Sequence, residues 1–468
     1  MTNKPGRHSF RERLDYMIDK LRTDILSGVL QPGSYLPAES TLAKQYQLSN
    51  KSVRKGLDAL VQESLIVKID RVGSMVLDST QERIRIHFGC SASLSQDFLL
   101  DELIAAFHRQ HPGIHVFPVT LNDFNHVNSA TEMINNGMLD VISLNSVQFQ
   151  ELSENKQTAL LDPLEPDAGL YPIATEAFWE NDELYAYPIS FSPVILCYNR
   201  AHFREAGVPE PDSYWTWDDL IRAAETLSER LGKHAVYFVP ASENRYSVFL
   251  LQSGLHTVTD SSGASTLSPE TVKSLSIYSG LVNNHRIFPK YLAGDHEDET
   301  ISLFVNGQVS MVLATYFNLN AFKDLSLDYD LAPLPTLKAR DPQRMLMVTI
   351  GAAVAANSRQ KEAARQFVRF LASEEAQSLI REKTVSIPAR KLVAETAATS
   401  NLNRPSRYLM YRELLPAFFY HSELGLPIAA LRSFRKLLNA YWSNLIGEQE
   451  LHEEITQLIQ QERLKSGV

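Results

Sequence analysis

Thiol chemistry is nearly absent from this 468-residue chain, which holds only two cysteines, Cys90 and Cys197. Lying far apart, they offer neither a disulfide framework nor a metal-ligand spacing, so both are read as packing residues in a reducing cytoplasm. No stretch of about 18 uninterrupted apolar residues occurs, which excludes a membrane-spanning helix. The first residues, MTNKPGRHSFRERLDYMIDK, lack an apolar h-region and a small-residue cleavage site, so an exported protein is not expected. GxSxG, P-loop and HExxH patterns are missing, as is any Cys/His cluster. The 13 histidines are scattered. His108 and His111 have a spacing a metal would accept but no third ligand, and are read as solvated. No catalytic residue, metal or cofactor is expected.

What is present begins with LPAESTLAKQYQLSNKSVRKGLDAL, Leu36 to Leu60, which reads as two short helices joined by a tight turn. Ser49 is a good N-cap for the second helix, and Val53, Leu57 and Leu60 fall at i, i+4 and i+7 on one apolar face. Asn50, Lys51, Ser52, Arg54 and Lys55 are expected to project from the other face, where such a helix meets base edges and phosphates in a major groove. Upstream, Leu14, Met17, Ile18, Leu21 and Ile25 mark an amphipathic helix ending at Gly28. Downstream, Leu65 to Ile69 and Ser74 to Leu77 are β-prone runs that predict a hairpin with Arg71 at its tip. Helix, helix, helix and hairpin make a winged helix.

The stretch DILSGVLQPGSYLPAESTLAKQYQLSNKSVRKGLDALVQESLIVKIDRVGSMVL, Asp24 to Leu77, resembles the GntR family of transcriptional regulators. The resemblance implies DNA contact by Glu39, by Lys51, Ser52 and Arg54 on the recognition helix, and by Arg71 and Gly73 in the wing; Ser49 and Asn50 at the helix start join this set. Lys51 stands where the family commonly has arginine, which weakens a bidentate reading of guanine there. Asp70 replaces a frequent wing glycine. Residues 1–78 carry 12 Lys and Arg against 9 Asp and Glu, net +3, out of 45 and 55 in the chain, which leaves 33 against 46, net −13. Only the N-terminal end is expected to dock on nucleic acid.

At roughly 100–200 residues per domain, the length implies two or three domains. Polar DSTQER, Asp78 to Arg83, precedes a new pattern: a strand at Ile84, Ile86 and Phe88, a helix through Leu99 to Phe107, a strand at His115 to Val119, a helix near Asn125 to Asn135, and a strand at Asp140 to Leu144. Strands alternating with helices predict a parallel α/β sheet, with ligands beyond the carboxyl ends of its strands. The loops Ser91 to Ser95 and Asn145 to Ser146 are therefore pocket candidates.

From Tyr185 the chain reads YAYPISFSPVILCYNRAHFREAGVPEPDSYWTWDDLIRAAETL, followed in order by FVNGQVSMVLATYF, DYDLAPLP, IGAAVAANSRQKEAARQFVRFLASEEAQSLI and SIPARK. This series resembles the family 1 extracellular solute-binding proteins, the sugar receptors of ABC importers, over roughly residues 83 to 440. The resemblance implies two α/β lobes joined by a hinge, with chain crossings at Pro188 to Tyr198 and Leu331 to Pro335. It also implies a carbohydrate held between the lobes. Tyr316 and Phe191 are expected to offer aromatic faces to a sugar ring, with Ser91, Asn145, Glu243, Asn244, Arg245 and Arg390 fixing its hydroxyls. Trp215 and Trp217 read as structural, and Tyr408 to Leu464 as helical buttressing.

The fold class expected is thus α/β: an N-terminal winged helix (residues 1–78), a linker (79–83) and a two-lobed, periplasmic-binding-protein-like domain with a hinge (84–468). The function expected is a cytoplasmic, sequence-specific transcription regulator whose operator affinity answers to a bound sugar or oligosaccharide. A homodimer on an inverted repeat is expected, because one winged helix buries too little surface for a unique address. Six residues from Asp78 to Arg83 span at most about 20 Å, which would hold the DNA reader near the first lobe. Two alternatives stand beside this reading. One is a fusion to a pyridoxal-phosphate aminotransferase-like enzyme, opposed by the polar, surface-type settings of Lys233, Lys361 and Lys383. The other is an ABC sugar transport receptor, opposed by the missing export signal.

Overall fold

The computed structural model describes residues 10–63, 65–69, 72–77, 84–122, 125–259, 261, 265–290, 297–443 and 445–466. They fall into two compact units. One holds the N-terminal residues to Arg85 with Pro112–His115, and the other holds Ile86–His111 with Val116 onward.

In the smaller unit the three-to-four-residue apolar spacing does its expected work. Helix α1 (Phe10–Leu26) buries Met17, Leu21 and Ile25, α2 (Glu39–Gln45) buries Leu42, and α3 (Asn50–Gln62) buries Val53, Leu57 and Leu60. Full burial of each such side chain is worth about 1.5–3 kcal/mol, so this small core is the chief source of the unit's stability. Gly56 lets α3 approach α1 closely. A Cβ there would lie 3.1 Å from Leu14 Cδ1, 3.3 Å from Ile18 Cγ1, and in clash with Met17 Cε. Strands β1 (Ile66–Ile69) and β2 (Gly73–Val76) pair antiparallel, with Ile69 opposite Gly73. The expected tip, Arg71 with Asp70, and the expected linker at 78–83 lie outside the described residues.

The larger unit is built on two main sheets. The first lobe contributes β3 (Ile84–Ser91), α4 (Ser93–Phe98), α5 (Leu100–Gln110), β4 (Ile114–Leu121), α6 (His126–Asn135), β5 (Val141–Asn145) and α7 (Ser146–Glu154), with the first two residues of β3 and of β4 counted in the smaller unit. Then β6 (Tyr187–Pro193) leads through Val194 alone into β7 (Ile195–Asn199), which belongs to the second sheet. That lobe adds β8 (Val236–Tyr237), α8 (Glu243–Ser253), β9 (Met311–Ala314) and β10 (Tyr329–Ala332), in the order β8-β9-β7-β10. The chain returns to the first sheet with β11 (Met345–Ala355) and β12 (Ile387–Pro388), giving the order β12-β6-β11-β5-β3-β4. Helices α9 (Ile428–Trp442) and α10 (Glu448–Ser466) close the described chain.

The sheets are mixed, which corrects the expectation of a parallel one. β3 and β5 run parallel, but β11 is antiparallel to both β5 and β6, and β7 is antiparallel to β9 and β10. β11 comes back from the other lobe and so escapes the right-handed βαβ crossover that keeps strands parallel, whereas β6, which leaves toward that lobe, runs in the same direction as β5. Every residue of β6 and β7 is buried, as expected for apolar strands covered on both faces.

Candidate DNA-reading face and ligand cleft

At the start of α3, Ser49 Oγ accepts a hydrogen bond from Ser52 N at 3.2 Å. The cap satisfies a backbone donor that the first helical turn leaves open, and fixes where the polar face begins. Asn50, Lys51, Arg54 and Lys55 are exposed on that face. Arg54 Nε donates to Glu39 Oε2 at 2.6 Å, so a carboxylate from the first residue of α2 holds a guanidinium that remains 65% exposed. Lys68 on β1 ion-pairs with Asp58 and tethers the hairpin to α3. Gly73 opens β2 at φ +140°, a conformation that favours glycine, with Tyr35 Cδ1 3.8 Å from where a Cβ would stand. Glu39, Ser49, Asn50, Lys51 and Arg54 thus lie along the α2–α3 surface.

Ser52 is corrected. It is 9% exposed and turns inward, with its Oγ 2.8 Å from Ser49 Oγ, because the N3 position faces back over the cap rather than outward. Arg71 lies outside the described residues.

In the larger unit, a cleft of about 150 Å³ lies where the carboxyl end of β5 meets the first turn of α8. Asn145 ends β5 and caps α7. Its Oδ1 accepts from Gln148 N at 2.9 Å while Gln148 Oε1 accepts from Asn145 N at 2.8 Å, a reciprocal capping box. Both amide oxygens are committed, so each side chain brings NH2 donors to the cleft. His126, buried at the start of α6, donates from Nε2 to the Ser143 carbonyl at 2.8 Å, which sets its tautomer. From the facing side come Glu243 and Asn244 in the first turn of α8, and Arg432 on α9. Arg432 forms two 2.7 Å bonds to Glu151 of α7, one from each terminal nitrogen to each carboxylate oxygen. The Glu151 bond holds the Arg432 guanidinium above its ordinary range. Amides, carboxylates and one guanidinium around a small polar space suit a ligand rich in hydroxyl groups.

Three sequence candidates therefore meet here: Asn145, Glu243 and Asn244. The remainder do not line the cleft. Phe191 is fully buried, edge-on to Tyr171 and Tyr411 at ring distances of 5.2 and 6.0 Å. Tyr316 is fully buried, its hydroxyl donating to the Tyr408 carbonyl at 2.9 Å and its N–H to Ser192 Oγ at 2.8 Å. These two corrections have one cause. Phe191 lies on the crossing strand and Tyr316 is bonded to that strand through Ser192, so both rings pack the joint instead of facing solvent. Arg245, 1% exposed, donates from Nε to the Leu313 carbonyl at 3.0 Å and is not among the residues that line the cleft. Arg390 is tied to Asp167 and to the Ala372 carbonyl, and Ser91 turns its Oγ toward Ser93 at the end of β3. Trp217 is buried as expected, with its Nε1 donating to Gln252 at 2.8 Å. Sequence reasoning missed His126, Gln148, Glu151 and Arg432. Only Gln148 had a local signal, the Asn-x-x-Gln capping pattern.

Among the described residues no helix is long and apolar enough to cross a membrane, and no group of three or more His, Cys, Asp or Glu is placed to hold a metal ion. Both cysteines are free and buried.

A two-lobed α/β unit with a polar cleft at strand ends is the architecture of a solute receptor, and a capped recognition helix beside a hairpin is that of a winged-helix reader. Comparison with known proteins agrees. The chain belongs to the bacterial extracellular solute-binding protein family, whose description matches residues 92–378, and residues 16–76 match the bacterial regulatory proteins of the gntR family. The galactooligosaccharide-binding protein of Bacillus subtilis (strain 168) is 22% identical over 223 residues, 47% of this chain and 52% of that protein. The HTH-type transcriptional repressor NagR of the same organism is 34% identical over 67 residues, 14% of this chain and 28% of that one. This chain spans about half the length of the first curated relatives it matches. Among solved structures, an ABC substrate-binding protein from Listeria monocytogenes in complex with cycloalternan superposes with a TM-score of 0.67 at 20% identity, covering 82% of this chain and 99% of that one. Maltose-bound MalE3 of T. maritima gives 0.67 at 18%, covering 80% and 98%. The large unit therefore has a solute-binding fold rather than an aminotransferase one.

Proposed function

We propose that the chain is a cytoplasmic one-component transcription regulator in which a carbohydrate bound between the two lobes sets operator affinity. The observation that carries this reading is the union, in one chain, of a gntR-family domain at 16–76 with a solute-binding domain at 92–378. The gntR-family domain favours it over a transport receptor. Glu39, Ser49, Asn50, Lys51 and Arg54 contact DNA from the α2–α3 surface, with Arg71 and Gly73 in the wing, and a homodimer reads an inverted repeat. Asn145, Glu243 and Asn244 hold the ligand, joined by His126, Gln148, Glu151 and Arg432. The relatives named for galactooligosaccharides, cycloalternan and maltose support a carbohydrate as the effector class.

A ligand gripped from both lobes binds the closed form better than the open one, and only that difference shifts the equilibrium. The test is a thermal-shift screen of carbohydrates, followed by effector titration of free and operator-bound protein. A ligand at about 100 times its Kd adds about 2.7 kcal/mol of stability. Coupling of about 1–3 kcal/mol changes DNA affinity roughly 5- to 150-fold, and DNA must change ligand affinity by the same factor. Equal effector affinity for free and operator-bound protein overturns the proposal.

A further inference from the structure

Two carboxylates on one face of α7 engage the first two turns of α9 at matched positions. Glu154 Oε2 accepts from the Ile428 backbone N–H at 2.8 Å, where α9 begins after Pro427, and Glu151 takes the two-point bond from Arg432 four residues further on. A carboxylate at a helix N-terminus answers both an open backbone donor and the positive end of the helix dipole. The fork-to-fork pair adds a directional contact that no single-point charge provides.

The two helices belong to different lobes. α7 follows β5 directly, and its Ser146 Oγ accepts from Thr349 N of β11, both strands of the first sheet. α9 is fixed to the second lobe through α8: the Tyr246 hydroxyl donates to the Leu431 carbonyl at 2.9 Å, and the Tyr246 and Phe434 rings stack at 5.8 Å. Glu151 and Arg432 also line the ligand cleft beside Asn145, Glu243 and Asn244.

We propose that Glu151 and Arg432, with Glu154 on the α9 N-terminus, form an inter-lobe clamp that positions the two halves of the ligand site against each other. The pair acts as a positioning element: it holds Asn145 and Gln148 of the first lobe opposite Glu243 and Asn244 of the second. The clamp favours the assembled cleft without locking it, so a ligand still shifts the lobes toward the closed form and loses less freedom on binding. Assignment of the cleft as the effector site rests on the function proposed above, but the clamp itself is measurable without any effector.

The experiment uses the full chain with spin labels at Lys156→Cys, just beyond α7, and Lys436→Cys, on α9; both positions are exposed, and the native cysteines are buried. In buffer alone, the distance distribution should show a distinct short separation beside a longer one. Arg432→Ala should raise the ratio of longer to shorter separation about tenfold, the scale of a hydrogen bond to a charged group. Arg432→Lys, which keeps the charge but not the fork, should give an intermediate result. The reversed pair, Glu151→Arg with Arg432→Glu, should restore the short separation. If Arg432→Ala does not fold, Arg432→Gln carries the same expectation. A distribution unchanged in folded Arg432→Ala or Arg432→Gln overturns the clamp, as does a reversed pair that leaves the distribution as broad as the single variant's. Failure to find a sugar effector would count against the proposed function and leave this measurement standing.

Discussion

Helix α3 and the inter-lobe cleft use the same polar residue types at opposite sequence separations. On α3 an Asn, a Lys and an Arg follow one another within a single turn or so, and the residue that organises them, Ser49, is their immediate neighbour. In the cleft, Asn145 and Glu243 come from different lobes, and Glu151 and Arg432 meet across a separation of 281 residues. A local site is made by helix geometry and a cap. A cleft site exists only after two sheets have packed. Substitutions should therefore separate the regions: those in the joint between lobes act through stability, whereas those on either polar face act through binding.

The largest expected effect tests that division at the joint. Tyr316→Ala removes a fully buried ring that packs edge-on against Tyr408 and Tyr411, so it should destabilise the larger unit by about 3–5 kcal/mol, as large aromatic truncations in cores do. Asn244→Ala, at the cleft surface, should cost under about 0.5 kcal/mol yet weaken ligand binding. Urea unfolding of both variants checks the contrast. A Tyr316→Ala protein with wild-type stability would return that residue to the list of cleft candidates.

Acid sharpens the same division, because the larger unit buries imidazoles. Burial pushes the His421 imidazole down to about 4 and shifts His108 and His202 in the same direction. A histidine whose folded value lies below its unfolded value of about 6.5 contributes stability that is complete above that pH and is lost as the pH falls toward 4. Between pH 7 and 4.5 the loss from His421 should be roughly 2–3 kcal/mol. Urea midpoints at the two pH values, for the wild type and His421→Leu, measure it. An equally steep acid limb in the variant would assign the lability elsewhere.

Much of the fold was legible because its signals are local. Apolar spacing located α1 and α3, the Ser49 cap placed the start of α3, and the Pro-rich apolar run at 187–199 announced a chain crossing. Strand direction was not legible, since β11 runs antiparallel to β5 only because it returns from the second lobe. Phe191 and Tyr316 were misplaced for a related reason: an aromatic residue beside a crossing strand has the same sequence signature whether it faces a ligand or the other sheet. Arg432 carried no signal at all, because nothing near Leu431 or Phe434 points to a carboxylate on α7.

On the local site, Arg54→Ala should reduce operator affinity by about 1–3 kcal/mol if the guanidinium reads a base edge, and relax specificity at one position. Glu39 holds that guanidinium at 2.6 Å, so Glu39→Gln should reproduce part of the specificity loss while weakening binding to random DNA little. Fluorescence anisotropy on operator and scrambled duplexes distinguishes the cases. Equal losses on both would make Arg54 a phosphate contact, and undiminished operator binding would remove it from the interface.

The smallest expected effect concerns the cap, where two serines one turn apart have different duties. Ser49→Ala leaves the Ser52 backbone N–H without its side-chain acceptor and should cost about 1 kcal/mol of stability in the smaller unit, the usual scale for losing an N-cap. Ser52 points inward and bonds only the Ser49 hydroxyl among the contacts described, so Ser52→Ala should cost a few tenths of that. It should also leave the salt dependence of operator binding unchanged. Losing an ionic phosphate contact lowers the slope of log affinity against log salt by about 1, whereas losing a neutral hydroxyl buried against the cap does not. Anisotropy titrations across a salt series, set beside thermal melts, decide between these duties. A Ser52→Ala protein that melts like the wild type but binds operator tenfold more weakly would show that Ser52 leaves its partner and turns outward when DNA is bound.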